Sequence, residues 1–141
     1  MRARLFAVTL TIAALAPAGL LAGCGPDRPD RPPLTLPAAG DFRPGACRDA
    51  ADPIRALGQL TYDRAGARTL PATDYPFLVE QSDKLVAVLE RAEPAVRERL
   101  DAVLTAIGFV RIRPGKTYDP QLLTDLEIAR ATLQSECVRP G

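Results

Sequence analysis

Three cysteines, Cys24, Cys47 and Cys137, are the residues of this 141-residue chain best suited to covalent chemistry. The chain contains no histidine, which removes the commonest general base, the commonest metal ligand and the usual partner of a serine or cysteine nucleophile. Cys47 and Cys137 lie 90 positions apart, unlike a redox CxxC pair. Ser82 and Ser135 sit neither in a glycine-flanked elbow nor at SxxK spacing. Gly66, Gly108 and Gly115 are isolated, so no phosphate-cradling loop is present in the pattern. What remains for acid and base work is two carboxylate pairs, Glu80 with Asp83 and Glu98 with Asp101, each on one helix face. Their neighbours Lys84, Arg97 and Arg99 mark both as ordinary solvated faces. The expectation is a non-enzymatic protein with no catalytic residue, no metal site and no cofactor. A carboxylate-dependent hydrolase stays as a distant alternative, requiring two carboxyl groups facing each other across a cleft.

The elements that position these residues are helical. With 47% apolar and 25% charged residues, the chain has room for one domain with a core. Eighteen basic against 17 acidic side chains argue against a nucleic-acid partner held by bulk charge. From Cys47 onward the apolar residues recur with helical period. The first helix is predicted over 49–62, with Ile54, Leu57 and Thr61 inward and Asp52 and Pro53 as N-cap and first turn. The second is predicted over 75–91, with Leu78, Leu85, Val88 and Leu89 inward. The third starts at Pro94, carries Val96, Leu100, Val103, Leu104 and Ile107, and ends at Gly108. The fourth follows Asp119 and Pro120, with Leu122, Leu126, Ala129, Leu133 and Cys137 on one stripe. All four are amphipathic, which predicts an all-α fold: a small antiparallel, up-down four-helix bundle over 47–138 with a tail at 139–141.

In such a bundle the start of the first helix meets the end of the fourth. Cys47 is in step with Ile54 and Thr61, and Cys137 with Leu133 and Ala129, so both thiols point inward at the same pole. A Cys47–Cys137 disulfide is the expectation, and closing a loop of about 90 residues contributes on the order of 4.6 kcal/mol by the chain-entropy argument.

The amino terminus predicts a compartment. Arg2 and Arg4 precede an apolar run from Leu5 to Ala16, and small residues follow up to Leu21, Ala22, Gly23 and Cys24. That layout is a secretory signal peptide. A membrane-spanning helix is the competing reading, disfavoured by Pro17, by Gly19 and by the absence of a basic stop-transfer cluster, since Arg28 and Arg31 alternate with Asp27 and Asp30. Leu21, Ala22, Gly23 and Cys24 resemble, position for position, the lipobox of bacterial lipoproteins. The resemblance covers residues 1–24 only. It implies that residues 1–23 are removed and that Cys24 becomes the acylated first residue, thioether-linked to diacylglycerol. The protein would then sit lipid-anchored on the extracytoplasmic face of a cell membrane. Two acyl chains suffice physically, at about 0.8 kcal/mol per buried methylene. Removing Arg2 and Arg4 turns 18 basic and 17 acidic side chains into 16 and 17, a net charge of −1, so no attraction to anionic lipid is required.

Residues 24–46 then read as a lipidated cysteine and a disordered, extended tether. Six prolines (Pro26, Pro29, Pro32, Pro33, Pro37, Pro44) interrupt it, and about 22 residues at ~3.1 Å each reach at most about 68 Å.

One constellation depends on the topology. The loops 62–74 and 108–118 emerge opposite the predicted disulfide and gather every tyrosine in the chain, Tyr62, Tyr75 and Tyr118, with Arg64, Arg68, Arg111, Arg113 and Lys116. Val110 to Arg113 alternates like an extended stretch, which would project both arginines together. Tyrosine with arginine suits a binding surface for a protein or an anionic envelope component. The first expectation is an interaction module of the cell envelope, and the alternative is a carrier of a small apolar ligand or lipid between the helices.

Overall fold

The computed structural model describes residues 31–112 and 119–139. Among them the chain forms a 3-10 turn at Ala39–Asp41 and five helices: α1 (Ala46–Asp49), α2 (Ala51–Arg64), α3 (Asp74–Leu89), α4 (Pro94–Ile112) and α5 (Pro120–Cys137). No strand occurs among the described residues, and the fold is all-α. Helix α2 packs against α3 and α5, α3 against α4, and α4 against α5. Ile54, Leu57, Leu78, Leu85, Leu100, Ile107, Leu126 and Leu133 fill the space between them with no exposed surface.

The pole where α2 begins is held by covalent, polar and apolar links together. The sulfurs of Cys47 and Cys137 stand 2.10 Å apart with their Cα atoms at 5.1 Å, and both residues are buried. Arg91 Nη2 reaches Asp49 Oδ2 at 3.3 Å, tying the end of α3 to the end of α1. Arg43 Nη2 donates to the Glu136 carbonyl at 2.6 Å and to Glu136 Oε1 at 3.2 Å, with Glu93 Oε1 at 3.7 Å.

The packed part begins well before Cys47. The compact unit starts at Pro33, and Phe42 is completely buried. Phe42 forms a single antiparallel bridge with Val138, closed by Arg43 N to Cys137 O at 2.9 Å and Arg139 N to Asp41 O at 3.1 Å. The Arg48 guanidinium serves two further carbonyls, donating to Phe42 O at 2.8 Å and Gly40 O at 3.1 Å. An extended tether reaching to residue 46 is therefore incorrect for residues 33–46. Prolines lower the hydrogen-bonding capacity of a segment, but one large apolar side chain with its backbone oxygens satisfied is enough to dock it. Further back, Leu36 lies across Gly58, in the middle of α2. A Cβ on Gly58 would come within 3.0 Å of Leu36 Cδ2 and 3.3 Å of Arg130 Nη1, so a glycine lets the segment and α5 close on that helix.

Three predicted boundaries shift for physical reasons. Asp52 is not the N-cap: Ala50 holds that position in helical geometry, and Asp52 is exposed in the first turn of α2. Pro53 is tolerated there because its missing N–H would have had no intrahelical acceptor. Helix α4 does not stop at Gly108 but continues to Ile112, since Val103, Ile107 and Val110 extend the buried stripe across it. That burial outweighs the roughly 1 kcal/mol a mid-helix glycine costs. Helix α5 starts as predicted, with Asp119 Oδ1 accepting from Gln121 N at 2.9 Å. Its inward stripe, however, is Leu123, Leu126, Arg130, Leu133 and Cys137, and Leu122 and Ala129 are only half-buried.

Candidate functional site

The predicted tyrosine and arginine surface is distributed differently from expectation. Arg64, the last residue of α2, turns to the first residue of α3: Nε donates to Asp74 Oδ2 at 2.7 Å and Nη2 to Asp74 Oδ1 at 3.1 Å. Asp74 is buried, so this two-point pair fastens the α2–α3 connection. Hydrogen bonding to Asp74, together with attraction from Asp74 and Asp63, holds the Arg64 guanidinium above its ordinary pKa. A cation so held stays charged below its unfolded pKa and gives no titration in the neutral range. Its charge is answered within the fold.

Tyr62 and Tyr75 are half-buried, and Tyr75 packs against the core, so each ring leaves only part of its surface to solvent. Arg68 is exposed in the α2–α3 connection. Arg111 is exposed too, on the last turn of α4 beside buried Val110. The extended stretch expected to aim Arg111 and Arg113 together is therefore replaced by helix as far as Ile112. Arg113, Lys116 and Tyr118 lie outside the described residues, as does Cys24.

The carboxylate pairs are solvated. Glu80 accepts from Lys84 Nζ at 2.6 Å, and Asp83, Glu98 and Asp101 are exposed. Among the described residues no group of three or more potential metal ligands occurs, and no helix is long and apolar enough to cross a membrane.

Two features escaped the sequence reading. The first is a buried polar cluster centred on Arg130, which is 4% exposed. Its Nε donates to Glu127 Oε2 at 2.9 Å, its Nη2 to Glu127 Oε1 and its Nη1 to Gln134 Oε1. From α2, the Thr61 hydroxyl donates to the same Glu127 carboxylate. The cluster locks α5 to α2 under Leu36, with the burial of a guanidinium compensated by hydrogen bonds on three nitrogens. The adjacent apolar residues Leu122 and Leu123 were the available signal. Choosing Leu123 for the stripe brings Arg130 inside.

The second is a groove along the outer faces of α4 and α5. One stretch of about 330 Å³ is lined by Ala102, Thr105, Ala106, Phe109, Leu122, Asp125 and Ala129. It continues into a stretch of about 280 Å³ bounded by Arg99, Ile128 and Thr132. Phe109 is 57% exposed on one rim and Ile128 59% exposed on the other. Both stretches open to solvent, as does a third concavity between α2 and α3 lined by Leu60, Thr73 and Phe77.

No family model matches this chain, and neither the curated proteins nor the solved structures contain a match to it.

Proposed function

We propose that the chain is a non-enzymatic bacterial lipoprotein, anchored through Cys24 on the extracytoplasmic face of a cell membrane, and that its folded part is an interaction module of the envelope. The observation that carries this reading is the division of the cysteines. Cys47 and Cys137 meet inside the fold, a pairing that suits an oxidising compartment. Cys24, the third, closes the lipobox-like run Leu21, Ala22, Gly23 behind a signal-peptide pattern.

The four long helices form an up-down bundle in this reading. The links Asp49 to Arg91, Arg64 to Asp74, and Phe109 beside Leu122 support it, because each joins the ends that alternating helices would bring together. After cleavage, only residues 25–32 separate the lipidated cysteine from the compact unit. Arg68 and Arg111 are exposed and suit carboxylate- or phosphate-bearing partners.

Detergent-phase partitioning of the full chain expressed in a bacterium tests the anchor. The wild type is expected in the detergent phase and Cys24→Ser in the aqueous phase; a wild type that stays aqueous contradicts the proposal. A lipid carrier would need a chamber between the helices, and the leucine-filled interior with its open outer grooves favours the interaction module.

A further inference from the structure

Residues 33–46 are held on the helices by their main chain and by one aromatic ring. Asp41 O accepts from Arg139 N at 3.1 Å, Arg43 N donates to Cys137 O at 2.9 Å, and Phe42 O and Gly40 O accept from Arg48 Nη2 at 2.8 and 3.1 Å. The side chains add Phe42, which has no exposed surface, the half-buried Leu34, Leu36 and Pro37, and Arg43 on Glu136. Apart from the 3-10 turn at Ala39–Asp41, the segment follows α2 and α5 without helix of its own. Phe42 faces Val138, Pro37 lies beside Gln134 and Ser135, and Leu36 meets Gly58 in the middle of α2. Carbonyls and N–H groups placed this way are common to every extended peptide, so the crevice recognises an extended backbone with an aromatic ring at one position.

The segment also ends on a hinge. Gly45 carries φ +81°, a conformation that side chains with a Cβ rarely adopt, and two residues later Cys47 is bonded to Cys137. The disulfide therefore fixes α1 to the end of α5 whether or not the chain before Gly45 is docked. The interior residues Ile54, Leu78, Leu100 and Leu133 belong to α2, α3, α4 and α5 themselves. An opening confined to residues 33–44 breaks the contacts named above and leaves that interior closed, which is the condition for a sub-global opening.

We infer that residues 33–44 are a strap that swings on Gly45, and that the crevice it fills along α2 and the end of α5 is a peptide-binding site closed in cis. The occupant that takes the place of the strap is an extended apolar segment of a partner protein with one aromatic residue. This rests on the interaction-module reading and deepens it; the lipid anchor does not enter. The Arg48 guanidinium, the Cys137 carbonyl and the Arg139 N–H are the groups that pass from the strap to the partner. Tethered beside its own site, the strap competes at the millimolar effective concentration of a short linker, so a partner peptide is excluded until the strap leaves.

Hydrogen exchange and peptide binding on the full-length chain test the assignment, the probe being a synthetic peptide of residues 33–44. In the wild type the amides of Arg43 and Arg139, which sit on either side of the bridge, are expected to exchange together and about tenfold faster than those of Leu57 and Leu133. Phe42→Ala is expected to keep its helix signal in circular dichroism and to bind the peptide about tenfold more tightly than the wild type does. The peptide carrying Phe42→Ala is expected to bind neither chain. Bridge amides as slow as those of Leu57 and Leu133, a Phe42→Ala chain without helix signal, or equal peptide affinity for the two chains overturns the inference. So does a dimeric wild type that Phe42→Ala makes monomeric, because the strap would then be exchanged between copies. Detergent partitioning of the same chain reports on the anchor separately, and neither readout here depends on the exposed Arg68 and Arg111, so failure of the strap is distinguishable from failure of the proposed function.

Discussion

The pole that joins α1 to the end of α5 and the outer face of α4 and α5 are built on opposite terms. At the pole, a disulfide, the buried Phe42, the backbone bridge to Val138 and the guanidinium groups of Arg43 and Arg48 all act within a few residues. Along the outer face, small alanines and solvent-exposed Phe109 and Ile128 leave apolar surface uncovered by the other described residues. The pole spends its chemistry on holding the chain together. The outer face adds little to that hold, and substitutions in the two regions should differ in their effect on stability accordingly.

The largest effect belongs at the pole. Replacing both Cys47 and Cys137 with serine removes the constraint on a loop of about 90 residues and is expected to cost on the order of 4–5 kcal/mol, read as a fall in the urea midpoint. An unchanged midpoint would mean that the pole is held without its covalent link. Phe42→Ala comes next, at about 3–4 kcal/mol for a fully buried aromatic side chain, measured by the same titration. A loss below about 1 kcal/mol would instead make residues 33–46 the loose tether that their prolines suggested.

A middle-sized effect is expected from Glu127→Ala, which leaves the buried Arg130 guanidinium without its main acceptor. About 2 kcal/mol of destabilisation is the expectation, since Glu127 is itself partly exposed. Arg130→Met, which removes the charge as well, should recover part of that loss. The smallest change in stability is assigned to the outer face: Phe109→Ser, at an exposed position, should alter stability by less than about 0.5 kcal/mol in the same titration. If Phe109→Ser unfolded the protein, the contrast between the two regions would disappear.

The parts of the fold that were legible in the sequence are those written in local rules. Pro94, and Asp119 with Pro120, mark helix starts because a missing N–H and a side-chain acceptor suit the first turn. Cys47 and Cys137 were legible because their periodicity placed both at one end of the core. The parts that were not legible depend on what packs from elsewhere. Phe42 reads as one aromatic in a proline-rich run, and its burial requires the end of α5 to be in place. Gly108 reads as a stop signal, and only the neighbours of Val110 carry the helix past it. Arg130 reads as a surface charge until Glu127, Gln134 and Thr61 are brought around it. Arg64 was counted as part of a binding surface because the depth of Asp74 has no local signature. The α4–α5 groove was hidden by the same rotation of α5 that hid Arg130.

The most direct test of the whole account is the intact mass of the mature chain purified from bacterial membranes, measured before and after reduction. The account predicts a polypeptide beginning at Cys24 and carrying diacylglycerol on its sulfur, with a gain of two hydrogens on reduction as Cys47 and Cys137 separate. A chain beginning elsewhere with an unmodified Cys24, or one whose mass does not change on reduction, would contradict it.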